Sequence, residues 1–144
     1  MNKTILCFDE SNGSVAAAEY IKKLNIRDIL AIIVCPKNVK CPIVLNTFSG
    51  PKEFDALPEL LTDLKNTLKS IYDGSSINAE LRHVFTSASN PGYEIIKIAN
   101  YEHADLIVSG SRGLGKMGSL FMGSVSTYLI QNSNVPVLVV PYRK

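Results

Sequence analysis

The sequence predicts one α/β domain built on a mainly parallel sheet, and three observations carry that prediction. Short β-branched runs recur along the chain, helix-periodic segments separate them, and the runs are continuously apolar rather than alternating. Strands joined through helices need crossover connections, which make neighbours parallel and put helices on both faces. A strand covered on both sides has no polar face, hence the unbroken apolar runs.

The elements follow in order. Thr4–Phe8 is an apolar run that stops at Asp9. Val15 to Ala18, Tyr20, Ile21 and Leu24 keep helical spacing, with Ser14 as the candidate N-cap. Asp28–Cys35 is a second strand, ended by Pro36. Residues 36–52 hold Pro36, Pro42, Gly50 and Pro51 without a period, and are expected to form an irregular excursion. Phe54, Leu57, Leu60, Leu61, Leu64, Leu68 and Ile71 mark a long amphipathic helix ending before Gly74. Ile77–Phe85 reads as a strand with one partly exposed side, and Asn90-Pro91-Gly92 opens a helix carrying Tyr93, Ile95, Ile96 and Ile98. Ala104–Val108 is a short buried strand. Val125, Tyr128 and Leu129 mark the last helix and Val135–Val140 the last strand.

The chain has 144 residues, 46% of them hydrophobic and 19% charged, which suits a single folded domain over 1–144. The longest apolar run falls far short of the roughly 20 residues of a membrane helix, so no membrane partner is expected. Fifteen basic against thirteen acidic residues, with no long basic run, argue against nucleic acid. Cys7, Cys35 and Cys41 have neither metal-ligand spacing nor an even count, and the N-terminus has no secretory apolar core. A cytoplasmic location follows as an expectation. His83 and His103 have no partner at metal spacing, and no serine has a sequence-evident base, so no catalytic residue is named.

In open α/β sheets ligands bind beyond the carboxyl ends of the strands, where strand order reverses. Asp9-Glu10-Ser11, Val34-Cys35-Pro36 and Ser109-Gly110 are therefore the candidate positions. The last opens a glycine-rich segment with three readings. Gly110-x4-Gly115-Lys116 imitates a P-loop, but Met117 stands where a Ser or Thr must offer an oxygen to Mg2+. Gly113-x-Gly115-x2-Gly118 imitates a dinucleotide fingerprint, without the acid that should follow the next strand. The third takes the whole segment as Gly110-x2-Gly113-x9-Gly123-Ser124. Here glycines let backbone approach a ligand with φ > 0 open to them, and Gly123, Ser124, Val125 and Ser126 form a helix start whose free N–H groups and hydroxyls favour phosphate. Arg112 and Lys116 would add charge. Against it stands the plain alternative of turn glycines and an N-cap serine.

This spacing, with Asp9-x-Ser11 after the first strand and the ending Asn134 to Val140, resembles the universal stress protein family over nearly the whole chain. The resemblance implies a five-stranded parallel sheet in the order 3-2-1-4-5, with the adenine-nucleotide α-hydrolase-like fold. Because every fixed position of the glycine motif is filled, it implies the ATP-binding branch, with Mg2+ held through the phosphates. Asp9 would then bond the ribose or adenine side, with the main chain of Cys7 and Phe8 beside it, and Val34 would meet adenine through its main chain. Gly110, Arg112 and Gly113 would line ribose and phosphate, and Gly123, Ser124, Val125 and Ser126 would hold the phosphates. A homodimer through strand 135–140 is implied as well. Rival readings are a slow ATPase or nucleotide hydrolase on this scaffold, and a dimeric interaction module with no bound nucleotide.

Two departures accompany the resemblance. Glu10 stands where many relatives have Gly, and its carboxylate would repel a polyphosphate unless turned to solvent. The proline-rich stretch 36–52 would either close over the site or obstruct it.

Overall fold

The computed structural model describes residues 3–111 and 123–142. Eleven elements are defined among them: β1 Thr4–Cys7, α1 Asn12–Ile21, β2 Asp28–Pro36, β3 Ile43–Thr47, β4 Gly50–Phe54, α2 Leu57–Tyr72, β5 Asn78–Thr86, α3 Gly92–Tyr101, β6 Leu106–Gly110, α4 Ser124–Asn132 and β7 Val137–Val140. Five strands form one parallel sheet in the order β5-β2-β1-β6-β7. With β3 and β4 set aside, this is the 3-2-1-4-5 order expected.

Strand alternation divides the core. Leu6 of β1 and Phe8 just beyond it point to the face covered by α1 and α2, where Ala17, Ala18, Ile21, Leu60, Leu64 and Leu68 are buried with them. Ile5 points to the other face, against Ile95 and Ala99 of α3 and Leu129 of α4. The α2 stripe is core as its spacing predicts, and Gly74 ends the helix region in a left-handed turn at φ 76°.

The excursion is not irregular. Residues 43–54 form an antiparallel hairpin, Ile43 facing Phe54 and Thr47 facing Gly50. The Thr47 hydroxyl donates to the Gly50 carbonyl at 2.7 Å, and Gly50 takes φ 109°, which a side chain would resist. Phe54 ends β4 instead of opening α2, and its ring is buried against the α2 side of the core. The cap of α1 is Ser11 rather than Ser14: the Ser11 hydroxyl accepts from the Ser14 amide at 3.3 Å, and the Ser14 hydroxyl donates to the Ser11 carbonyl at 3.0 Å. The last two strands start two residues later than expected, at Leu106 and Val137.

Candidate functional site

Strand lengths create the site. β1 ends at Cys7 opposite Ile32, whereas β2 runs on to Pro36 with β5 beside it. The Phe8 amide donates to the Ile32 carbonyl at 3.0 Å, so Ile32 faces the β1 edge. Alternation gives Val34 the same edge, past the last residue of β1, where its N–H and C=O meet no strand. On the other side of β1, the connections leave in opposite directions, β1 into α1 on one face and β6 toward α4 on the other. A crevice opens between them.

That crevice is lined by Cys7, Phe8, Asp9, Val34, Gly110, Gly123, Val125 and Ser126, together with Ile32, Pro91, Ile95 and the start of α1. Its cavity is about 160 Å3, close to the ~150 Å3 that takes a single aromatic ring. Asp9 Oδ1 accepts from the Ser11 amide at 3.1 Å and the Ser11 hydroxyl at 2.5 Å, so the carboxylate both borders the cleft and orders the turn into α1. The Cys7 thiol is pushed up to about 12, by burial first and by the Asp9 charge second. It remains a neutral wall atom at ordinary pH.

One glycine acts differently from expectation. Gly110 is not in a left-handed conformation. A Cβ there would run into the Gly13 backbone, and one on Gly13 would meet the Ser111 carbonyl oxygen at 2.9 Å. Gly110 thus lets the start of α1 pack on the end of β6. Gly123 is the N-cap of α4 at φ −66° and ψ 160°, ordinary extended backbone. After it, α4 begins with Ser124, Val125 and Ser126, whose amides precede the first helical acceptor; the first intrahelical bond runs from Thr127 to the Gly123 carbonyl at 3.1 Å. The buried Ser126 hydroxyl donates back to that same carbonyl at 3.0 Å, and Ser124 is exposed.

The structure therefore brings Cys7, Phe8, Asp9, Val34, Gly110, Gly123, Val125 and Ser126 to one cleft, with Ser124 at its helical rim. Arg112 and Gly113 lie outside the described residues, as do Gly115, Lys116, Met117 and Gly118. Glu10 corrects an expectation: its carboxyl turns away from the cleft but into the protein, not into solvent, and is fully buried. Among the described residues that line the cleft, none belongs to the stretch 36–52. Pro91 and Ile95 were missed as walls. The helix start Asn90-Pro91-Gly92 was legible, but not that it faces Val34.

The family model described as universal stress protein family matches residues 1–141. A universal stress protein of Thermus aquaticus is 50% identical over 50 residues, 35% of this chain and 36% of that protein. One of Methanocaldococcus jannaschii is 46% identical over 50 residues, 31% of its length. The matched stretch thus spans about a third of these relatives. The Bacillus subtilis universal stress protein YxiE aligns more fully, 24% identical over 96% of this chain and 98% of its own. Among solved structures, a universal stress protein in complex with cAMP has TM-score 0.67 at 18% identity, covering 99% of this chain and 98% of that one. The Archaeoglobus fulgidus universal stress protein in complex with dAMP has TM-score 0.60 at 18% identity, covering 97% of each. At such identity the likeness shows the fold.

Proposed function

The chain belongs to the universal stress protein family, and we propose that it binds an adenine nucleotide, with ATP as its ligand, across the crevice beyond β1, β2 and β6. The observation that carries this reading is the pairing of two unlike walls in one cleft. On one, the unpaired main chain of Val34 offers a donor and an acceptor beside a ring-sized cavity. On the other, the open amides at the start of α4 offer a positive helix end to phosphate. Asp9 stands between them, placed for the ribose, with the Cys7 and Phe8 main chain beside it. Gly110 would border the sugar, and Arg112 and Gly113 enter from the motif alone. Gly123, Ser124, Val125 and Ser126 would hold the phosphates, with Mg2+ bound through them. The cAMP and dAMP held by fold neighbours support the adenine class.

β7 lies at an edge of the sheet, and we infer a homodimer through its outer side, in a cytoplasmic protein that acts as a small stress-response nucleotide binder. Titration calorimetry with ATP, ADP, AMP and cAMP tests the site. Wild type should saturate with ATP, and Gly123→Val should give no binding heat while keeping its circular dichroism spectrum. Equal ATP affinity in that folded variant refutes the site. Sedimentation of a protein carrying Leu138→Lys tests the dimer: it should run as a monomer beside a dimeric wild type.

A further inference from the structure

Glu10 is an ionisable residue with no exposure, held at φ 66°, in the left-handed region that a residue with a Cβ rarely adopts. Something must hold it there. Its Oε1 accepts from Lys52 Nζ of β4 at 2.8 Å and from the Thr67 hydroxyl of α2 at 2.8 Å. Lys52 also reaches Asp63 of α2 at 3.1 Å. The Glu10 carbonyl accepts the amide of Phe48, at the hairpin tip, at 3.0 Å. The hairpin and α2 thus meet on the one residue that lies between Asp9 and the cap of α1.

Two carboxyls share one ammonium here. Burial drives the Glu10 pKa up and the neighbouring Asp63 carboxyl adds to the rise, whereas Asp63 itself is held below its ordinary value by Glu10 and Lys52 beside it. Lys52 is held up by its bond to Glu10. These are the charged groups set against Glu10 from the hairpin and from α2. Glu10 Oε2 is buried without a hydrogen-bond partner among the described residues. A neutral Glu10 would leave one anion, Asp63, facing one cation, Lys52.

We propose, resting on the nucleotide reading of the cleft, that Glu10 is a positioning residue: clasped by Lys52, Thr67 and the Phe48 amide, it fixes the loop that presents Asp9, so that the hairpin sets the affinity of the site. Asp9 is bonded covalently to Glu10 and by its side chain to Ser11, so a released clasp lets the carboxylate lose its direction. The ligand must then order it again on binding.

ATP titrations of wild type, Lys52→Met and Glu10→Gln from about pH 5 to about pH 8 test this. Lys52→Met should bind about tenfold more weakly. Wild-type affinity should fall as Glu10 ionises with rising pH. Glu10→Gln, which keeps an acceptor for Lys52 and Thr67 and cannot ionise, should retain the acid-side affinity without that fall. Comparing variants at each pH cancels the ligand's own titration. Affinities and pH profiles shared by all three proteins overturn the role of Glu10 alone. Failure of wild type to bind ATP overturns the nucleotide reading, and the positioning role with it. Should Lys52→Met not fold, the Glu10→Gln profile decides by itself.

Discussion

Asp9 and Glu10 are neighbouring acids with opposite fates. Asp9 sits half-buried at the edge of the cleft, its carboxylate bonded to the Ser11 amide and hydroxyl and still facing the crevice. Glu10 is sealed on the α2 side, where a lysine and a hydroxyl from distant segments bond it. The contrast separates two ways of using a carboxyl: one is kept wet and directional, the other is buried, bonded across segments and made part of the frame. The first should govern binding directly, and the second stability and loop order.

Gly110→Ala should do the most damage, because it strikes the frame under both acids. Its methyl would meet the Gly13 backbone, which has no flexible side chain to yield, and about 3 kcal/mol of stability should be lost in urea unfolding. Glu10→Ala comes next, at about 2 kcal/mol, since Thr67 and Lys52 lose a buried acceptor. Asp9→Ala should cost stability little but weaken ATP binding by about 1–2 kcal/mol in calorimetry. A result with these two reversed, affinity following Glu10 only and stability following Asp9, would dissolve the comparison.

The smallest effect is the dependence of stability on pH. The Glu10 pKa is raised from an ordinary 4.5 in the folded state, so its contribution is present below that value and is lost as pH rises through the raised one. Asp63 is lowered from an ordinary 3.8, so its contribution is present above that value and is lost as pH falls through the lowered one. Urea midpoints should show the gap between wild type and Glu10→Gln shifting against the Glu10-containing protein as pH rises above 4.5. Parallel midpoint curves would mean that Glu10 does not titrate over that range.

Legibility differed between regions for physical reasons. The sheet strands were readable because a parallel strand buried on both faces has to be apolar throughout, and α2 because Leu57 to Ile71 repeats every three or four residues. The hairpin was not. Its strands are five residues each, with a proline and a glycine in the second, and their alternation is too short to stand out. Phe54 misled because it precedes Leu57 by one helical interval, although β4 buries it. Ser11 and Ser14 are equally good caps by type, and only the bond between them tells which is outside the helix.

Local pattern alone determined that this chain makes a parallel α/β sheet with a glycine-marked loop before its last helix, since periodicity and turn chemistry act between residues close in sequence. The tertiary structure decided where the two acids after β1 point. Lys52 and Thr67 lie 42 and 57 residues from Glu10, and no spacing in the sequence announces that a hairpin will bring a cation to a buried carboxyl. The same holds for Val34, whose main chain is free only because β1 stops before β2 does.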